Sequence, residues 1–223
     1  MPTVLVIGAS RGIGLELVRQ YADEGWRVIA TVRDDAGRAR VQELGAQALT
    51  VDVANPASVS GLAWQLDGEA IDLALYVAGV WDGHAAGVPP TQPQFDAVMH
   101  SNVLGFMQAL PQIAPMVQEA GGVIAAFSSE MSLLAQADES AWLYRVSKAA
   151  LNMAVASACL HWPGLTLLAL DPGWVQTEMG GASAPITVEQ SVQGLMQALE
   201  QVRPEDRGSL LRYDGTSTRL LDA

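Results

Sequence analysis

Tyr144 and Lys148 stand four residues apart within residues 141 to 161, where apolar spacing predicts a helix, so their side chains share one face. A phenol with an ordinary pKa of about 10 is a poor proton donor or acceptor at neutral pH. An ammonium beside it favours the phenolate and lowers that pKa, as general acid–base work requires. The same spacing arises by chance on ordinary helix surfaces, so the pair gains meaning only from its company. At the other end of the chain, Gly8, Gly12 and Gly14 enclose Ala9-Ser10-Arg11 and Ile13 in a turn between an apolar run and a helical stretch. Glycines let the backbone approach a phosphate, and a helix N-terminus offers free N–H groups and a positive dipole end. The G-x-x-x-G-x-G spacing differs from the commoner G-x-G-x-x-G. A ligand-free glycine turn is the plain alternative.

The elements that would position these residues follow from hydrophobic period. Thr3 to Ile7 reads as a strand buried on both faces, and Leu15 to Tyr21 as a helix. Further strands are expected at Arg27–Val32, Gln47–Val51, Leu73–Val77, Val123–Phe127, Thr166–Leu170 and about Ser209–Leu211. Helices are expected at Pro56–Leu66, Phe95–Gln118, Ala141–His161 and about Thr187–Val202, with Pro111 and Pro115 bending or interrupting the second. This alternation indicates right-handed βαβ units: an α/β protein with a doubly wound parallel sheet of about seven strands, helices on both faces, three layers in all. With no linker, repeat or low-complexity segment, residues 1–223 read as one domain, with a short substrate-covering segment near 178–202.

Ligands of such sheets bind beyond the carboxyl ends of the strands. There lie the Gly8 turn, Arg33, Asp52, Gly79, Ser128-Ser129 and Asp171-Pro172-Gly173. After the second strand a dinucleotide fold selects its cofactor, an acid for a ribose 2′-hydroxyl or a cation for a 2′-phosphate. Arg33 with Arg11 could clamp the phosphate of NADP, whereas Asp34 could mark NAD.

Composition narrows the function classes. The 223 residues are 50% hydrophobic and 16% charged, which suits a covered sheet, and the formal net charge of −12 argues against a nucleic-acid partner. One cysteine, Cys159, excludes an internal disulfide and fits a reducing compartment; it reads as packing on the long helix. No membrane-length apolar run and no basic leader is present, so a soluble cytoplasmic protein is expected. His84, His100 and His161 show no ligand spacing, and no metal site is expected. Trp81, Trp142 and Trp174 flank the inferred cleft and either face substrate or pack.

Taken in order, Gly8-x-x-x-Gly12-x-Gly14, Asp52, Ala78-Gly79, Asn102, Ser128-Ser129, Tyr144-x-x-x-Lys148 and Pro172-Gly173 resemble the short-chain dehydrogenase/reductase family. The segments Tyr144 to Asn152, Asp171 to Gly181 and Tyr213-Asp214-Gly215 are similar to its C-factor and sniffer-type carbonyl reductase branch. The resemblance implies a Rossmann-type fold and an oxidoreductase that reduces a small, fairly apolar aldehyde or ketone, or oxidises the corresponding alcohol. NADP(H) is the preferred cofactor, because Arg33 falls where NADP-preferring members place a cation; NAD(H) is the alternative. By the same resemblance, Tyr144 protonates the carbonyl oxygen and Ser129 hydrogen-bonds it. Lys148 binds the nicotinamide ribose and lowers the tyrosine pKa, and Asn102 holds the water of a proton relay. Gly8, Ser10, Arg11, Gly12, Ile13 and Gly14 form the cofactor turn, Asp52 and Val53 contact the adenine, and Ala78 and Gly79 also bind the cofactor. Pro172, Gly173, Val175 and Thr177 position the nicotinamide. Helices near 95–118 and 141–161 pair between subunits in relatives, which implies a homodimer or homotetramer.

Two positions depart from the family pattern. Val77 replaces an asparagine that braces the sheet, and Ser132 replaces a glycine after the catalytic serine, placing Ser128, Ser129 and Ser132 close together. The C-factor likeness also implies a rival role, a signalling protein whose nucleotide occupancy is the message with little or no turnover.

Overall fold

In the computed structural model, which describes residues 1–221, the N-terminal apolar run is strand β1 (Thr3–Ile7), buried along its whole length. Helix α1 (Gly12–Asp23) follows the glycine turn, then β2 (Arg27–Val32), α2 (Asp35–Glu43) and β3 (Gln47–Thr50). Two short helices, α3 (Pro56–Val59) and α4 (Leu62–Gln65), lead to β4 (Leu73–Tyr76). After an irregular stretch come α5 (Gln92–Met99), α6 (Gly105–Glu119), β5 (Val123–Phe127), α7 (Trp142–His161) and β6 (Thr166–Asp171). Helix α8 (Val188–Glu200), β7 (Ser209–Arg212) and β8 (Ser217–Arg219) complete the order.

The strands form one eight-stranded sheet in the order β3-β2-β1-β4-β5-β6-β7-β8, parallel except for the β7–β8 pair. The direction of winding reverses between β1 and β4, which opens a crevice at their carboxyl ends. Helices cover both faces. Leu110, Ile113 and Val117 of α6 and Leu151 and Val155 of α7 pack with Leu5, Ile7, Ile29 and Ile124 on one side. On the other, Leu17 and Val18 of α1 and Val192 and Leu195 of α8 pack with Val4, Val6, Leu75 and Leu168. Alternate residues of β1 thus feed two cores, the period of a strand buried twice over.

Several elements differ from the sequence expectation. Helix α2 lacks a marked apolar period, with Gly37 and Val41 as its buried residues, but Asp34 caps it by accepting from Gly37 N at 2.7 Å. The helix expected over 56–66 is broken at Gly61 into α3 and α4. Pro111 and Pro115 do not break α6: both lie on its solvent face, where water can reach the carbonyls their missing N–H groups leave free. The interruption falls earlier, in a π-helical turn at His100–Leu104. Within the segment near 178–202, residues 188–200 form α8, which buries Val192, Leu195 and Met196 in the second core. The sheet gains β8, a short antiparallel edge strand held at Tyr213-Asp214-Gly215 by Asp214 Oδ1, which accepts from Thr216 N at 3.0 Å. Among the described residues no helix is long and apolar enough to cross a membrane.

Candidate active site

The turn after β1 ends against β4. Gly8 adopts φ +95°, and a Cβ there would lie 2.7 Å from the Ala78 backbone, so a side chain is barred both by conformation and by space. Thr31 Oγ1 accepts from Gly8 N at 3.1 Å, and Arg40 Nε donates to Ser10 O at 2.9 Å, tying β2 and α2 to the turn. Val77 N and Ala78 N both donate to Ile7 O, at 2.8 and 3.0 Å, while the Val77 side chain packs on the second core. Backbone bonds and apolar packing therefore brace the place where the family pattern has asparagine.

A cleft of about 540 Å³ opens over this turn, lined by Gly8, Ser10, Arg11, Gly12, Ile13, Gly14, Arg33, Asp52, Val53, Ala78, Gly79, Tyr144, Lys148, Pro172 and Thr177. Residues drawn from the segments after β1, β2, β3, β4 and β6 and from α7 thus line one cleft. Asp52 Oδ1 accepts from Ala54 N at 3.0 Å, shaping the corner after β3. Arg33 is exposed at the rim, whereas the Asp34 carboxylate is occupied as the α2 cap. The segment after β6 crosses the mouth: Thr177 lies against Gly12, and Glu178 forms an exposed ion pair with Arg11. Thr31 and Arg40 carried no motif signal, because only the folded chain brings them to the turn.

Helix α7 supplies the proton-bearing groups. It starts from Ala141, which is buried in the left-handed region at φ 47°, a strained conformation just before the reactive turn. Tyr144 is 8% exposed, and its Oη meets no hydrogen-bond partner among the described residues. Lys148 is buried beside it, with Nζ 5.5 Å from the Tyr144 ring centroid and donating to Phe127 O at 2.6 Å. Burial, with the Asp171 charge adding, pushes the Tyr144 phenol above its ordinary value. Burial also pulls the Lys148 ammonium down to about 8. The phenol thus shifts in the direction opposite to the lowering expected from its lysine neighbour, with burial as the main cause.

Behind this pair, Asn102 is fully buried in the π-helical turn. Its Oδ1 accepts from Val80 N at 2.8 Å, and its Nδ2 donates to Val80 O at 3.0 Å and Ser147 Oγ at 2.9 Å. Asn102 Oδ1 and Lys148 Nζ both flank Gly79, where a Cβ would stand 3.2 and 3.5 Å from them. The three serines are sorted by Asn152. Ser128 Oγ donates to Asn152 Oδ1 at 2.6 Å, Asn152 Nδ2 donates to Ser132 Oγ at 2.6 Å, and Ser132 Oγ donates to Ser129 O. Ser129 Oγ accepts from Met131 N at 3.1 Å, and its own O–H has no acceptor among the described residues.

Asn102, Ser129, Gly173 and Val175 stand outside the cleft lining. Val175 is buried and bridges Ile186, and Gly173 N donates to Asp171 Oδ1 at 3.1 Å. No group of three or more His, Cys, Asp or Glu among the described residues is arranged to hold a metal.

The short chain dehydrogenase family model matches residues 2–185. The 1-hydroxy-2-glutathionyl-2-methyl-3-butene dehydrogenase of Rhodococcus sp. is 32% identical, over 97% of this chain and 98% of its own. C-signal of Myxococcus xanthus is 40% identical over 119 residues, 52% of this chain and 72% of its own. The NADPH-bound carbonyl reductase from chicken fatty liver is 28% identical, with a TM-score of 0.85 over 98% of this chain and 99% of that one. Glycine turn, switch-point cleft and α7 pair stand in the order that this match spans, and the chain belongs to the short-chain dehydrogenase family of oxidoreductases.

Proposed function

We propose that the protein is an NADPH-dependent reductase of a small aldehyde or ketone, acting reversibly on the corresponding alcohol. The observation that carries this reading is the convergence of Tyr144 Oη, without a partner, and Lys148 Nζ on the same cleft as the glycine turn. The residues fit a dinucleotide. The Gly8 surface has no room for a side chain, α1 opens with its N-terminus at the turn, and Arg33 is exposed at the rim while Asp34 is spent on a cap. Arg33 therefore supports a 2′-phosphate over a bare ribose. The NADPH-bound chicken carbonyl reductase supports the same choice. A nicotinamide bound in the cleft would supply the hydride.

The chain's own residues supply the rest. Tyr144 Oη gives its proton to the carbonyl oxygen as that oxygen gains negative charge. Ser129 Oγ donates its free O–H to the same oxygen and orients it. Lys148 Nζ, fixed by Phe127 O, keeps two further N–H donors for ribose hydroxyls and stabilises the tyrosinate left behind. Asn102 holds the Val80 backbone and lies at the π-turn through which a relay water replenishes the proton.

An oligomer belongs to the same reading. Val146, Met153 and Leu160 are exposed at heptad spacing along α7, an apolar stripe that a second copy would cover. Light scattering should give a dimer or tetramer. The C-signal likeness supports a second reading, nucleotide binding as a signal. A fluorescence titration with NADPH and NADH, followed by a panel of aldehydes and ketones, separates the two. Tighter NADPH binding and absorbance loss on carbonyl addition are expected; binding without oxidation on any carbonyl favours the signal.

A further inference from the structure

Trp81 is large, apolar and 45% exposed, and the backbone on either side of it is anchored. Both backbone groups of the preceding Val80 are bonded to the Asn102 amide. Two residues on, Gly83 leaves space that a Cβ would fill 2.9 Å from Trp81 Nε1. The loop beyond is anchored too: buried Asp82 accepts from His84 N at 3.1 Å, Trp142 N donates to His84 O at 3.2 Å, and Ala86 N donates to Glu139 O at 2.8 Å. These contacts set the indole 4.6 Å from the Tyr144 ring, centroid to centroid, with an interplanar angle of 55°. Trp81 lines the same cleft as Tyr144, Lys148 and Met179.

We propose that Trp81 determines substrate specificity, presenting a fixed aromatic face on which a flat, uncharged aromatic or conjugated carbonyl compound stacks with its oxygen toward Tyr144. This rests on the carbonyl-reductase reading and names its substrate class. An indole pinned without being buried spends its remaining apolar face on whatever enters the cleft, and aromatic pairs gain from geometry beyond the area they cover. The cations that line the cleft are committed elsewhere than beside Trp81: Arg11 pairs with Glu178, Lys148 Nζ donates to Phe127 O, and Arg33 is exposed at the rim where the nucleotide reading uses it.

The test compares benzaldehyde with cyclohexanecarbaldehyde, a saturated ring of the same size, in wild type, Trp81→Phe and Trp81→Ala, with NADPH affinity measured in each protein. In Trp81→Ala the KM for benzaldehyde should rise roughly three- to tenfold more than that for the saturated aldehyde, the size of an aromatic contribution. Trp81→Phe should restore most of the difference. Equal KM changes for both aldehydes, or a fall in kcat alone, would overturn the proposal and leave Trp81 as a positioning residue for Tyr144. If wild type binds NADPH yet reduces neither aldehyde nor any other carbonyl, the carbonyl-reductase reading fails and takes this proposal with it.

Discussion

Lys148 Nζ donates to Phe127 O at 2.6 Å, so the carbonyl that ends β5 holds the buried ammonium of α7 in the cleft. Its pKa near 8 has a consequence for binding. NADPH affinity should be level below about pH 8 and weaken above it as Lys148 loses its charge. Lys148→Met should bind weakly at every pH and show no such slope between pH 7 and 9.5, in a fluorescence titration.

The same group affects stability, with a definite sign. A folded-state pKa near 8, below the ordinary 10.5, means that the unfolded chain binds more protons between those values. The Lys148 contribution to stability therefore rises with pH across that window and is lost as pH falls through about 8. Denaturant melts of wild type and Lys148→Met at pH 7.5 and 9.5 should show that rise as the wild type's change minus the variant's.

Gly8→Ala should disable the turn. The new Cβ would meet the Ala78 backbone at 2.7 Å in a φ of +95°. Strain and overpacking together cost roughly 2–5 kcal/mol. Thermal melts should show the destabilisation, and titration should show no NADPH binding under conditions where the variant remains folded.

Much of the fold was legible in the sequence because a strand buried on both faces writes itself as a run of β-branched and aliphatic residues. Thr3–Ile7 and Val123–Phe127 are found where that signal put them. Helix α2 was not legible, since an exposed nine-residue helix with Gly37 and Val41 as its buried positions has almost no period to read. The site divides in the same way. Residues with local spacing, the glycine turn and the Tyr144–Lys148 pair, could be named in advance. The Asn102–Val80 clasp, the Arg11–Glu178 pair and the hold of Asn152 on two serines join distant segments, and only the topology brings them together.

Asn102→Ala would leave the half-buried Val80 N–H and carbonyl without their side-chain partner and remove one of the two bonds of the Ser147 hydroxyl, around a fully buried position. Unsatisfied buried groups put the loss at roughly 2–4 kcal/mol. For a chain of this length that corresponds to a fall in Tm of about 5–15 °C. A fall in activity larger than the loss of folded protein would show that Asn102 also serves the proton relay.

Tyr144→Phe tests the central claim most directly, because it removes one oxygen and leaves the ring against Trp81 and Lys148. Turnover should fall by at least about a hundredfold, the scale of general acid catalysis. NADPH affinity in the same preparation should stay within about threefold of wild type. Retained turnover with intact NADPH binding would contradict the assignment of Tyr144 Oη as the proton donor.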